Sequence, residues 1–258
     1  MLKAQIHGKL PTSVWATSED LLTSAVFGTL SNLPDRYAIE ILALAEPLAE
    51  GQPPAMSGPL KWTFWPWWND ELVDGSACEP DVVVNDKHCL TLIEAKLWSP
   101  FGTEPDRRDQ LDREYAQAHH RSLRHGFPSF HLVVVTGHIT CPRDEVISQL
   151  SRNPDFDPTL VSWLSWREIG RQLANWLQDP LRVSEHGWVR DLLDILKRVG
   201  ASPYSGFDDL LSDARILIER AGKLDVGSRH GPFDLYDLTI EAARLPMDRL
   251  DWLRSRIA

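Results

Sequence analysis

The chain has 258 residues, 43% of them apolar and 25% charged, a balance that excludes disordered and fibrous classes and supports one full core with a smaller appendage. Its formal net charge of −10 at pH 7 argues against holding nucleic acid by bulk electrostatics, because such binding comes from Lys and Arg neutralising phosphates. No apolar run reaches the roughly eighteen residues of a membrane span, and the opening MLKAQIHGKLPTS lacks the apolar centre of a signal peptide, so a cytoplasmic protein without a membrane partner is expected.

Residues 17 to 33, TSEDLLTSAVFGTLSNL, predict an amphipathic helix with Leu22, Val26, Leu30 and Leu33 inward and a capping-box-like start at Thr17 and Asp20. Glu19 lies three residues before Leu22 and seven before Val26, so it belongs to the inward face. PDRYAIEILALAEPL reads as a second helix, and the proline-rich stretch 53 to 59 as a loop. LKWTFWPWW, residues 60 to 68, is β-prone, with Pro66 confining it to an edge or a strand end. Residues 80 to 85 and 89 to 98 predict two strands joined at the turn signal NDKH. Residues 106 to 125 predict a helix, and FHLVVVTG a fully buried strand. TLVSWLSW is a last strand leading into the helix REIGRQLANWL, and residues 187 to 258 read as helical apart from two loops. The order is helix, three strands, helix, strand, then strand and helix, which indicates an α/β domain with a helical C-terminal appendage.

Two stretches call for a chemical explanation: CEPDVVV, with Asp81 at the head of an apolar run, and LTLIEAKLW, with Glu94 and Lys96 inside one. Charges within strands are costly unless they face water or share a site. Glu94 and Lys96 are two apart in a strand and emerge on one face, while Ile93, Ala95 and Leu97 take the other. A neighbouring strand entered at Asp81 brings its carboxylate beside them. Paired carboxylates repel each other, which raises a pKa or invites a divalent cation, and oxygen ligands without histidine suit Mg²⁺, with Mn²⁺ as substitute. A lysine beside such an ion can orient water and offset charge in a transition state. Metal-assisted phosphodiester hydrolysis follows, with a solvated edge hairpin carrying a surface salt bridge as the bland alternative.

The signature EPD, twelve intervening residues, then EAK resembles the active site of the PD-(D/E)XK nuclease superfamily. That resemblance implies a restriction-endonuclease-like αβββαβ core over about residues 15 to 180, with 181 to 258 a helical C-terminal extension. It implies Asp81 and Glu94 as metal ligands, the Ala95 carbonyl completing the set, Lys96 as catalytic lysine, Glu19 as the additional acid from the preceding helix, and Gln110 as the glutamine of the helix after the third strand. The RecB-type branch has Gln and Tyr four apart. Gln110 and Tyr115 are five apart and diverge by roughly 140° around a helix. The implied function is a Mg²⁺-dependent deoxyribonuclease acting on nucleic acid, DNA first, in a prokaryotic restriction or phage-defence setting, as a homodimer or with a protein partner. The alternative is a nuclease-like module that binds nucleic acid or a partner without cutting.

Other features carry two readings each. The tryptophans at 62, 65, 67 and 68 can stack bases or pack an edge strand. His119, His120, Arg121, Arg124 and His125 can meet phosphates or balance a helix C-terminus. The C-terminal helices can cover the sheet, dimerise or dock a partner. His131 and His138 stand in no ligand pattern, and Cys78, Cys89 and Cys141 fit neither a disulfide framework nor CxxC zinc spacing. No GxGxxG, Walker or GxSxG motif is present.

Overall fold

The computed structural model describes residues 19–70, 77–97 and 109–201, all within one unit, Met1–Tyr204. Six strands form one mixed sheet: β1 (Glu46–Pro47), β2 (Lys61–Phe64), β3 (Val82–Asn85), β4 (Cys89–Ala95), β5 (Ser129–Thr136) and β6 (Val161–Ser165). Their spatial order is β1-β6-β5-β4-β3-β2. The strands β2, β3 and β4 are antiparallel neighbours, β4, β5 and β6 run parallel, and β1 closes the far edge antiparallel to β6. Among the described residues six α-helices accompany the sheet: α1 (Glu19–Leu30), α2 (Asp35–Leu42), α3 (Gln110–His125), α4 (Arg143–Leu150), α5 (Trp166–Trp176) and α6 (His186–Arg198). Among the described residues no helix is long and apolar enough to cross a membrane.

The side-chain alternation of the strands divides the core in two. Val82, Val84, Ile93, Ala95, Val133 and Val135 meet α1, α2, α5 and α6 on one face. Val83, Leu90, Leu92, Leu132 and Val134 meet Leu111, Tyr115 and Ala118 of α3 and Val146 and Leu150 of α4 on the other. Strands β4 and β5 are covered on both faces, which is why they read as continuous apolar runs. The helix α1 buries Leu22, Val26 and Leu30 as its periodicity predicts. The α3 helix stops at Gly126, whose φ of 71° is the left-handed conformation that closes a helix.

Two expectations need correction. The second helix does not run through PDRYAIEILALAEPL: it ends at Leu42, and Glu46 and Pro47 instead pair with Trp163 and Ser162. Pro47 has no N–H to give a ladder, which suits it to a two-residue edge strand. A helix not foreseen, α4, connects β5 to β6. It buries Val146, Gln149 and Leu150, an i, i+3, i+4 pattern too short to stand out in sequence. Beyond residue 180, Val189, Leu192 and Leu196 of α6 join the same core as α1 and α5. Residues 202–258, the rest of the expected helical extension, lie outside the described residues.

Candidate active site

The β3-β4 hairpin turns at Asn85–His88 and runs in a register that pairs Val82 with Ile93. One step further toward the open end, Asp81 stands across from Glu94. Pro80 precedes it, and the Trp65 N–H holds the Asp81 carbonyl at 3.1 Å from a left-handed turn (φ 47°) that ends β2. The Asp81 Oδ2 accepts the Ala95 N–H at 2.9 Å. Burial, then the charge of Glu94, pushes its carboxyl up to about 7, against weaker lowering by that hydrogen bond and by Lys96.

Glu94 is 1% exposed, at the carboxyl end of β4 on the face shared with Leu90 and Leu92. Its Oε1 takes the Lys96 ammonium at 3.0 Å and the Gln110 Nε2 at 3.0 Å, while its Oε2 is buried. Lys96 leaves the strand where β4 ends: its N–H donates to the Val135 carbonyl and its carbonyl accepts the Trp166 Nε1 at 3.0 Å. Burial alone lowers an ammonium pKa, but Glu94, with Asp81 and Glu19, outweighs it and holds Lys96 above its usual range. Glu19, on the first turn of α1, reaches over from the other layer. Its Oε1 accepts the Leu97 N–H at 2.7 Å and its Oε2 lies 4.0 Å from the Lys96 Nζ. The periodicities of one helix and one strand thus direct Glu19 and Lys96 to one place, while Ile93, Ala95 and Leu97 all face the apolar core.

Gln110 opens α3 and bridges two acids, donating to Glu94 and, at 2.9 Å, to Glu114. Glu114 was not foreseen. It lies four residues after Gln110, on the same helix face, and that spacing was the available signal. Burial first, then the neighbouring Glu94, raises the Glu114 carboxyl well above its usual range, which favours a protonated form able to donate to Glu94. Tyr115 turns away into the second core, where its hydroxyl accepts the Asp157 N–H at 3.2 Å, as the divergence from Gln110 implies.

The four expected metal ligands do not close a cage. Glu19 is engaged by Leu97 and Lys96, and Ala95 meets Asp81 through its N–H. Among the described residues no three His, Cys, Asp or Glu side chains gather to hold an ion. Asp81 and Glu94 nevertheless fit Mg²⁺, which is bound through one or two carboxylates together with waters and substrate phosphates. The crowding of the buried Glu94 and Glu114 carboxyls and the raised Asp81 carboxyl are what a cation there would relieve.

The other candidates are largely engaged internally. Trp62 stacks on Phe64 at 6.2 Å, Arg121 lies over the buried Trp68 at 4.9 Å, and Trp67 is 67% exposed. His120 and Arg124 both meet Asp70, and His119 packs beside Tyr115 and Phe130. His131 is buried against the Ser162 hydroxyl at 2.8 Å, its pKa lowered by burial to about 4. The three cysteines are unpaired thiols. Comparison with known proteins returns no matching family model, no matching curated protein and no matching solved structure.

Proposed function

We propose that the chain is a metal-dependent nuclease hydrolysing phosphodiester bonds, most naturally in DNA, on a restriction-endonuclease-like core made of α1, β2, β3, β4, α3 and β5. The observation that carries this reading is the pair of half-buried Lys96 and buried Glu94 at the end of β4, with Asp81 opposite and Glu19 closing from α1. A salt bridge made only for stability gains little from this arrangement, because removing charges from water costs more than most pairs return. Mg²⁺ held by Asp81 and Glu94 would act as a Lewis acid on the phosphoryl group. The chain's own residues do the rest. Gln110 and Lys96 fix the Glu94 carboxylate, Leu97 fixes Glu19 beside the ammonium, and Lys96 aligns the attacking water and offsets charge as it develops on the phosphoryl oxygens.

A module that binds nucleic acid without cutting is favoured by one observation: Lys96 already neutralises Glu94 at 3.0 Å. Cleavage of plasmid and labelled oligonucleotides with Mg²⁺, Mn²⁺ or EDTA separates the two. The nuclease reading expects metal-dependent cutting, and binding without cutting selects the module. Calorimetry with Mn²⁺ is expected to show Glu94→Gln binding the ion about tenfold or more weakly, the scale of a perturbed metal site. Equal affinity would remove Glu94 from the ligands.

A further inference from the structure

Strands β4, β5 and β6 are parallel, so their carboxyl ends share one edge of the sheet. The Glu94–Lys96 site occupies that edge at β4. Two strand spacings away, about 10 Å, a cavity of about 490 Å³ opens at the ends of β5 and β6 and the start of α5. Its size is that of a small-molecule or nucleotide pocket.

Leu44, Ile139 and Trp163 supply an apolar wall. Ile139 is 61% exposed, and the Trp163 indole is fixed by donating to the Thr136 hydroxyl at 2.8 Å. Four charges line the same cavity. Glu168 and Arg171 cancel each other in a two-contact ion pair, which leaves Arg167 and Glu46. Arg167 lines the cavity and, unlike Arg171, has no carboxylate partner among the described residues, so its guanidinium is the cation of this cavity left to meet an added anion. An apolar wall, one carboxylate acceptor and one guanidinium without an ion pair complement a nucleotide: base against the wall, base amino group to Glu46, phosphate oxygen to Arg167. The two places are also joined through the backbone, since Trp166, next to Arg167, donates to the Lys96 carbonyl.

We propose that this cavity is a nucleotide subsite that takes one nucleotide of a DNA strand beside the bond to be cut. The proposal rests on the nuclease reading for its substrate. Fluorescence anisotropy with a labelled single-stranded DNA oligonucleotide in EDTA, over a salt series, tests it apart from catalysis, alongside plasmid cleavage by the wild type. Arg167→Ala is expected to bind about tenfold more weakly, and to lower the slope of log affinity against log salt by about 0.7, the loss of one phosphate contact to a single strand. Ile139→Ala, a change at an exposed position, is expected to weaken binding roughly threefold with the slope unchanged. Arg167→Lys should keep the slope. Lys87→Ala, at the exposed hairpin turn on the opposite edge, should change nothing. If Arg167→Ala and Ile139→Ala bind as the wild type does while the wild type cuts, the subsite is overturned and the nuclease reading stands. If binding depends on Arg167 but nothing is cut, the nuclease reading falls and the subsite stands. An absence of wild-type binding overturns the subsite outright.

Discussion

Asp86, at the hairpin end of β3, is 3% exposed, and its carboxylate accepts the N–H groups of Ser57 at 2.8 Å, His88 at 2.7 Å and Cys89 at 2.8 Å. Burial alone would raise its pKa, but those donors outweigh it and lower the carboxyl below its ordinary value of 3.8. Asp81, at the opposite end of the same strand, has the Ala95 N–H, faces Glu94, and is pushed up to about 7. One aspartate is supplied with donors and closes the NDKH turn. The other is set beside a second buried acid at a cost to stability. Perturbation of that second kind gathers where chemistry is done, and under the proposed function the contrast sets a structural acid against a functional one within a single hairpin.

The largest expected effect lies at the Asp81 end. Lys96→Ala is expected to cut about 10² to 10³ more slowly, the usual loss when a positioned transition-state charge is removed. The fold should survive, because Lys96 ends a strand rather than filling the core. Single-turnover cleavage with circular dichroism on the same samples measures both. A folded variant cutting at the wild-type rate would make Lys96 a mere salt-bridge partner.

The hairpin end should answer in the opposite way. Asp86→Ala leaves three backbone N–H groups without their acceptor and is expected to lose about 2 to 3 kcal/mol of stability by denaturant unfolding. Cleavage per folded molecule should be unchanged. A variant that kept its stability and lost cleavage would reverse the roles of the two aspartates.

Local periodicity carried much of this end of the molecule into view. The two-residue spacing of Glu94 and Lys96 against Ile93, Ala95 and Leu97 is visible in LTLIEAKLW, and the helical spacing from Glu19 to Leu22 and Val26 is visible in α1. Gln110 was legible only through the family resemblance. Glu114 had only its four-residue spacing from Gln110 to mark it, because an acid on a charged helix face reads as solvated until the position of Glu94 beneath it is known. The strand β1 was hidden for a related reason. Glu46 and Pro47 become a strand only by pairing with Trp163 and Ser162, a contact with no local signature. The tryptophans of LKWTFWPWW also divide by tertiary setting: Trp68 is buried under Arg121 while Trp67 is exposed, and nothing in their spacing separates them.

The smallest expected effect is also the sharpest on the comparison: Asp81→Asn should stabilise the protein at high pH. The amide keeps an oxygen for the Ala95 N–H but carries no charge toward Glu94. Between the ordinary carboxylate value of 3.8 and about 7, folded Asp81 retains a proton that the unfolded chain has released. The folded state therefore binds more protons, and stability falls as pH rises through that window. Asp86 contributes with the opposite sign: its lowered pKa gives stability that is present above 3.8 and is lost as pH falls through the folded value. In the difference between wild type and Asp81→Asn the Asp86 contribution cancels and the Asp81 cost remains. Because Asp81 is only partly buried and solvent screens its repulsion, the variant is expected to gain on the order of 1 kcal/mol at pH 8, and nothing near pH 4. Urea unfolding at pH 4, 6 and 8 in EDTA measures this. Repeating the pH 8 series with Mg²⁺ should raise the wild type alone, since an ion that binds only the folded state stabilises it by mass action. An Asp81→Asn protein less stable than wild type at pH 8 in EDTA would place Asp81 with Asp86 among the structural acids.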